Sequence, residues 1–357
     1  MELKLTRRSF IQTAAAAAAA QQLAWAHGAS AQVRPAPSAD GKPVVALVHG
    51  DDRRKNVCES LVAIEDQILP VLRSKKYVVI KPNLVSTVKQ LAATHADALR
   101  GTLDFLAPRF KGPVIIAESS AGDTLEGYDN FGYRRVLDDF KSRQVSLLDL
   151  NDEARYETIH VVNADLHPVP VRLASRLLDP DAYIICSAVL KTHNVTVATL
   201  SVKNMTLGAP LHNSRKETRR WNDKRHYHGG VRQTHFDMLL TAQKMRPFWG
   251  VTVIDGFEGM EGNGPSAGTP VPSRIAIAST DYIAADRVGV DAMGINPEWL
   301  GYLKYCAQAG LGQYDLAGID IRGAKLSDVR KPYQLHPDIE RQLQWMGPMA
   351  EVPPRLG

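Results

Sequence analysis

Short apolar runs alternate with longer amphipathic segments along most of the chain. The runs are rich in β-branched residues, which is typical of buried strands. They are VVALVH (44–49), YVVIKPN (77–83), PVIIAES (113–119), VSLLDL (145–150), AYIICSAV (182–189), GVTVIDG (250–256) and RIAIAST (274–280). Apolar positions recur at helical spacing in residues 57–69, 96–106, 133–141 and 282–293. The alternation predicts an α/β fold, with a mostly parallel sheet sandwiched by helices.

The same pattern predicts the limits of the domain. It breaks at residues 208–230, GAPLHNSRKETRRWNDKRHYHGG, a polar and basic stretch that predicts a loop excursion able to act as a lid. Residues 32–42 are interpreted as a linker, and the proline-containing residues 326–357 as a C-terminal tail. We therefore predict one α/β domain over residues 43–325.

The first 31 residues carry the features of a twin-arginine export signal. Arg7 and Arg8 precede an alanine run at residues 14–20, and the small residues 29–31 form a cleavage site. The alanine run is too short and too weakly apolar to span a bilayer, so no stable membrane anchor is expected. We expect the chain to engage the twin-arginine translocation machinery and to become a periplasmic or secreted protein.

Charge and cysteine spacing narrow the classes of partner and cofactor. The formal net charge is +5, of which +2 belongs to residues 1–31, leaving +3 on the remaining 326 residues. Without a long Lys/Arg block, this balance argues against a nucleic-acid partner and leaves room for a local anion site. The three cysteines (Cys58, Cys186 and Cys306) form no C-x-x-C pair, so no iron-sulfur or zinc ligand set is expected. The glycines of GNGPSAGTP precede prolines rather than a helix and make no nucleotide fingerprint.

Polar side chains follow several of the predicted strands directly. Because ligands of open α/β sheets bind beyond the carboxyl ends of the strands, such residues are candidates for a site. They are Lys81 and Asn83 after the second run, Glu118, Ser119 and Asp123 after the third, Lys191 and His193 after the fifth, and Asp255 and Glu261 after the sixth. The oxygen-rich carboxylates suit a divalent metal ion of unknown identity. Helix capping, turn formation or an isolated strand-end charge would explain the same residues without a function.

The stretch KTHNVTVATLSVKN (191–204) concentrates several candidates. We predict a helix that begins near Val195 and carries Thr196, Thr199 and Lys203 on one face. Its N-terminal N–H groups, together with Lys191 and His193, would favour a carboxylate or a phosphate. His193 could hold a metal, carry a proton, or only complete a hydrogen-bonded corner.

Further histidines and carboxylates lie outside these strand ends. The pair His226 and His228 could ligate a transition metal or be solvated, and His235 could be a ligand or an acid/base group. Asp281 is predicted to cap a helix, whereas Asp286 lies one turn inside that helix and could face the crevice.

Several motifs together resemble the domain of unknown function 362 family over residues 43–323. They are VVIKPNL, AESSAGDT, GYDNFGYRRV, AVLKTHNVTVATLSVKNMTLGAP, VIDGFEGMEGNGPSAGTP, ASTDYIAADRVGVDAMG and GLGQYDLAGIDIRG. The resemblance implies the same architecture and site residues at Lys81, Asn83, Glu118, Asp123, Lys191, His193, Lys203, Asn204, Asp255, Glu261 and Asp286. Many relatives carry a ferredoxin-like cysteine cluster, which this sequence lacks, so electron transfer through such a cluster is not implied.

These observations favour an exported, metal-assisted enzyme that acts on a small anionic organic molecule by lyase, isomerase or hydrolase chemistry. The predicted catalytic residues are Lys191, His193 and His235. The predicted substrate-binding residues are Lys81, Asn83, Ser119, Lys203 and Asn204, and the predicted metal ligands are Glu118, Asp123, Asp255, Glu261 and Asp286. The alternative is a periplasmic protein that binds a small molecule or handles a cofactor without catalysis. A redox protein with a supplied flavin or haem has less support, because neither binding motif is present.

Overall fold

The apolar runs form one mixed sheet of ten strands in the computed structural model of this protein, which describes residues 41–347. The described residues contain twelve strands, and all except β5 and β6 belong to this sheet. The strands are β1 Val44–His49, β2 Tyr77–Lys81, β3 Val114–Glu118, β4 Val145–Asp149, β5 Tyr156–Val162, β6 Pro168–Ala174, β7 Ala182–His193, β8 Val197–Thr199, β9 Trp249–Glu261, β10 Thr269–Val271, β11 Ile275–Ser279 and β12 Asp320–Gly323. Their order across the sheet is β12-β1-β11-β9-β7-β2-β3-β4, with β8 paired to β7 and β10 to β9. Strands β5 and β6 form a separate two-stranded sheet.

The pairing is mostly parallel. Strands β9, β7, β2, β3 and β4 are parallel neighbours, and β12 is parallel to β1. Strand β11 is antiparallel to both β1 and β9. The predicted α/β fold with a mostly parallel sheet is therefore confirmed.

Helices cover both faces of the sheet. They are α1 Arg53–Val62, α2 Glu65–Leu72, α3 Ala96–Leu106, α4 Thr124–Asn130, α5 Tyr133–Asp139, α6 Leu150–Glu153, α7 Ser201–Gly208, α8 Val231–Met245, α9 Tyr282–Ala292, α10 Gly301–Gln308, α11 Leu326–Val329 and α12 Ile339–Gln342. Short 3₁₀ turns occur at Gln90–Ala92, Ser175–Leu178, Asp223–His228, Pro297–Trp299, Leu316–Gly318 and Leu343–Met346. No helix in residues 41–347 is long and apolar enough to cross a membrane.

Two hydrophobic cores explain why the strands are apolar at nearly every position. In β1, Val44 and Ala46 pack with α1 to α5, whereas Val45 and Leu47 pack with α7 to α10 on the opposite face. Because successive strand residues point to opposite faces, both sets must be apolar when both faces are covered.

The helix predicted to begin near Val195 begins instead at Ser201. Strand β7 continues to His193 and turns back into β8, with Lys191 opposite Thr199 and His193 opposite Val197. The β-branched residues in VTVAT favour an extended chain over a helix. The prediction that Thr196 and Thr199 share a helical face with Lys203 is therefore wrong.

Asp255 and Glu261, which were expected to follow the sixth strand, lie within it, because β9 runs without a break to Glu261. The helix predicted over residues 57–69 is two helices, α1 and α2, separated at Ala63 and Ile64. By contrast, α3 has the limits expected from its pattern, and Asp281 caps α9 by accepting hydrogen bonds from the N–H groups of Ile283 and Ala284.

The basic excursion is anchored at both ends. Asp223 accepts two hydrogen bonds from the guanidinium of Arg172 in β6, each 2.8 Å long, and Leu211 and Tyr227 are buried. Residues 215–220 between these anchors are exposed.

In the predicted tail, residues 326–347 include α11 and α12, and Trp345 is 7% exposed. The predicted export signal lies outside the described residues.

Candidate functional site

A buried ion pair joins the ends of two neighbouring parallel strands. Lys81, the last residue of β2, donates to Glu118, the last residue of β3, over 2.8 Å. Both side chains are at most 2% exposed. The second carboxylate oxygen of Glu118 accepts from the Ser119 N–H at 2.8 Å. This carboxylate is therefore already occupied by a cation and a backbone donor.

Two asparagines extend the pair into a hydrogen-bonded network. Asn204 accepts from Lys81 and from Asn83, both at 3.1 Å. Asn83 in turn accepts from Lys191 at 2.8 Å, and Lys191 also donates to the carbonyl of Ala92 at 2.7 Å. Three elements that are distant in sequence thus meet through amide side chains.

Lys203 differs from the other buried lysines around this network. Its side chain is 7% exposed, yet it has no hydrogen-bond acceptor and no carboxylate partner among the residues that the structure describes. Burial, and to a smaller extent the positive charge of Lys81, lower the pKa of Lys203 to about 7. An amine in this state is partly neutral at physiological pH.

Lys224, from the basic excursion, has a similar burial but a full set of partners. It is 8% exposed and donates to the carbonyls of Leu207, Gly208 and Pro210, the last at 2.6 Å. Burial lowers its pKa to about 7 as well, against the opposing effect of Glu118. We call Lys81, Lys191, Lys203 and Lys224, with Glu118, the lysine cluster.

Helix α7 carries Lys203 and Asn204, and charged side chains hold both of its ends. At the N-terminus, Asp286 accepts from the N–H groups of Ser201 and Val202 at 2.8 and 3.0 Å. At the C-terminus, Lys224 contacts the last carbonyls. A carboxylate at the start and an ammonium at the end both complement the helix dipole. The N–H groups of Ser201 and Val202, at the observed start of this helix, are therefore satisfied by the protein itself, and those of Val195 and Thr196, where the helix was predicted to begin, bond to His193.

The ring of His193 is fixed in one tautomer. Its Nδ1 atom accepts hydrogen bonds from the N–H groups of Val195 and Thr196 at 3.0 and 3.2 Å, so the proton lies on Nε2. Burial lowers the pKa of His193 well below its ordinary value, and the charges of Lys203 and Lys191 lower it further. A neutral imidazole with a free Nε2–H group is a hydrogen-bond donor rather than a proton acceptor.

Four of the five predicted metal ligands lie apart from one another and have other partners. Asp123 caps α4 and pairs with Arg215, Asp255 pairs with Arg53 at 3.2 Å, and Glu261 accepts from the Gln334 N–H at 2.8 Å. Asp286 caps α7, as described above. Six residues of extended strand, about 20 Å, separate Asp255 from Glu261, which explains why they do not converge. Residues 41–347 contain no group of three or more His, Cys, Asp or Glu side chains that could hold a metal ion.

Of the remaining predicted site residues, Ser119 lies next to the hydrogen-bonded network and His235 lies in a different part of the core. The Ser119 hydroxyl lies 2.9 Å from the side-chain oxygen of Asn151 and 3.1 Å from the Pro210 carbonyl, beside Glu118. His235 instead packs between Tyr302 and Trp345, and its Nδ1 accepts from the Tyr302 N–H. Burial lowers the pKa of His235 to about 3, so it stays neutral in the core.

The structure brings Lys81, Asn83, Glu118, Lys191 and Asn204 into direct contact and adds two residues that the sequence analysis missed. Lys224 lies in a stretch whose basic character is shared by its solvated neighbours, so only its burial distinguishes it. Thr94 accepts from the Asn83 N–H and donates to the Ser187 carbonyl, both at 2.8 Å. Neither residue lies at a strand end, the signal that identified Lys81, Asn83, Glu118 and Lys191.

Two solved structures are similar to this chain at low sequence identity. A protein from Thermotoga maritima has 12% identity and a TM-score of 0.42, covering 74% of this chain and 60% of that one. The lactate racemase apoprotein from Thermoanaerobacterium thermosaccharolyticum has 15% identity and a TM-score of 0.43, covering 71% and 57%. The chain thus matches less than two thirds of the length of either. A search of curated protein sequences finds no match.

The sequence profile described as Domain of unknown function (DUF362) matches residues 78–291, which is more than half of the chain and includes the whole lysine cluster. The resemblance inferred from the motifs is thereby confirmed, and the chain belongs to the DUF362 family.

Proposed function

We propose that this protein is an enzyme that binds and transforms a small organic anion at the lysine cluster. The observation that carries the proposal is Lys203, a buried amine without a counter-ion beside a lysine-rich network. Burying an unpaired ammonium costs several kcal/mol. Such a group is retained where it binds an anion or reacts as a free amine.

His193 supports the same proposal. Its Nε2–H group is a fixed neutral donor, suited to a carboxylate or to an oxygen that gains negative charge during a reaction. Hydrogen bonds keep Lys81 and Lys191 in place, and Glu118 pairs with Lys81, so protonated Lys203 is the cation left to attract an anion. With a neutral donor and a free amine, lyase or isomerase chemistry next to a carboxylate fits these groups better than hydrolysis, which needs an activated water.

Binding is tested by calorimetry of the full chain with pyruvate, L-lactate, malonate and inorganic phosphate. We expect at least one organic anion to bind, and Lys203→Met to weaken its binding at least about tenfold, which corresponds to about 1.4 kcal/mol. The matched control is Lys141→Met, because the Lys141 side chain is 76% exposed and distant in sequence. Equal binding by both variants would contradict the assignment of the site.

A hydrogen-exchange experiment tests catalysis separately from binding. Incubating a bound anion in D₂O should replace the hydrogen on the carbon next to its carboxylate or carbonyl group, at a rate that Lys203→Met abolishes and Lys141→Met does not change. Recovery of the unlabelled anion after prolonged incubation would favour a binding protein instead. The observation favouring that alternative is that Lys191 and Lys81 each already have hydrogen-bond acceptors, as in a fixed binding pocket.

Metal dependence stays a prediction from the sequence. The partners of Asp123, Asp255 and Asp286 are arginines and backbone N–H groups, so the arrangement described above gives it no added support. Elemental analysis of protein purified from its natural compartment tests it, and one metal ion per chain is the result expected from that prediction.

A further inference from the structure

We propose that Lys203 is a nucleophile that forms an imine with the carbonyl carbon of a 2-oxo acid held at the lysine cluster. This rests on the proposed function and specifies its substrate class.

The amine of Lys203 differs from the others in having nothing to donate to. Lys81 donates to Glu118, Lys191 to Asn83 and Ala92, and Lys224 to three carbonyls. A nitrogen held by such acceptors must break those bonds before its lone pair can attack carbon. Lys203 has no acceptor among the described residues and therefore has no such bonds to lose.

The surroundings also favour the neutral form that attack requires. Burial and the neighbouring charge of Lys81 bring the pKa of Lys203 to about 7. At pH 7 about half of Lys203 is then free amine, roughly a thousandfold more than for an ordinary exposed lysine. Lys224 has a similar pKa but donates to three carbonyls. A difference in reactivity between Lys203 and Lys224 would therefore come from the free lone pair and not from the pKa.

A 2-oxo acid fits the groups around Lys203. Its carbonyl oxygen can accept from the Nε2–H group of His193, which is close enough to Lys203 for the charge of that lysine to lower the pKa of the imidazole. Its carboxylate is attracted by the positive charge of the protonated imine that forms. The free amine of Lys203 forms a bond to the carbonyl carbon, and the carbon–oxygen bond breaks. The oxygen leaves as water with one hydrogen from the amine and one proton from solvent, and one hydrogen stays on the nitrogen. The product is a protonated imine, and no oxidant or reductant is consumed. The imine acidifies hydrogens on the adjacent carbon, which is what lyase and isomerase reactions require.

Reductive trapping tests this inference. The full chain is incubated at pH 7 with pyruvate, glyoxylate or 2-oxoglutarate in separate reactions and then treated with sodium borohydride. We expect one of these probes to add one reduced equivalent per chain, and peptide mapping to place it on Lys203 at least about tenfold above Lys224. L-Lactate, which has no carbonyl group, should add nothing under the same conditions.

The variant Lys203→Arg is the matched control, because it keeps the positive charge but cannot form the adduct. It should lose trapping and retain calorimetric binding of L-lactate or malonate, and thermal melting should show that it remains folded. Absence of an adduct with all three probes, or an adduct equally abundant on Lys224, would overturn the inference. If the anions still bind through Lys203 and exchange hydrogen with D₂O in that case, the proposed function stands without the imine. If they do not bind, both proposals are wrong.

Discussion

At the scale of single residues, Lys203 and Lys224 show how neighbours decide what a buried amine can do. Both are buried and both have a pKa lowered to about 7. Lys224 uses its donors to hold the C-terminus of α7, which is a structural role. Lys203 is left without a partner, and it therefore reduces stability unless a ligand or a reaction uses it.

We expect Lys203→Met to make the unliganded protein more stable at pH 7 by roughly 1–3 kcal/mol. In the unfolded chain Lys203 stays protonated to about pH 10, whereas in the folded chain it loses its proton near pH 7. The folded state thus binds fewer protons in this interval, and wild-type stability rises with pH between about 7 and 10. Urea unfolding at pH 7 and pH 9 should show a smaller rise in the variant. Lys141→Met should have the same free energy of unfolding as wild type at both pH values. If Lys203→Met also had the wild-type free energy of unfolding at both pH values, the expectation would be wrong.

At the scale of elements, α7 depends on its neighbours for both of its ends. The helix has eight residues and no capping side chain of its own, because Leu200 occupies the N-cap position. Asp286 of α9 supplies the missing acceptor from a distance of 85 residues in sequence. Burial raises the pKa of Asp286 to about 7, while its bonds to Ser201 and Val202 act in the opposite direction.

We expect Asp286→Ala to cost about 2–4 kcal/mol in the free energy of unfolding, because it leaves the buried donors of Ser201 and Val202 unsatisfied. The control is Asp52→Ala, which removes the exposed cap of α1 and should cost only about 1 kcal/mol. Denaturant unfolding measures both. If both substitutions lowered the free energy of unfolding equally, Asp286 would stabilise α7 no more than an exposed cap such as Asp52 stabilises α1.

At the scale of the whole molecule, the parallel sheet assembles the site. Strand β2 lies between β3 and β7, and the three run in the same direction, so Lys81, Glu118 and Lys191 reach the same edge. This is the edge at which open α/β sheets bind their ligands. Helix α7 then adds Lys203 and Asn204 over it.

The N-terminal sequence supports a further proposal at this scale, namely that the whole chain is exported after folding. Replacing Arg7 and Arg8 together by lysine should retain the protein in the cytoplasm, because the signal depends on the arginine pair rather than on charge. Cell fractionation followed by immunoblotting measures the outcome. Replacing Lys4 by arginine is the control and should leave export unchanged. Equal export of the two variants would contradict a twin-arginine signal.

The sequence by itself determined the fold class, the main strands and several residues of the lysine cluster. Apolar runs buried on both faces are a local property of the sheet, and residues such as Lys81, Glu118 and Lys191 follow because a strand must end next to them in sequence. The limits of α3 and the cap at Asp281 were readable for the same reason: the interactions that define them lie within a few residues.

Only the tertiary structure decided how those residues pair. Whether VTVAT forms a strand or a helix depended on the hairpin partner offered by β7. That Asp286 caps α7, and that Lys224 is a buried cap rather than a solvated charge, depended on contacts between segments far apart in the chain. Such contacts leave no periodic signal, because each partner alone has the appearance of an ordinary polar residue. Lys203 is the clearest example of a property that the sequence does not show. Only the positions of all its described neighbours show that none of them accepts a hydrogen bond from its amine.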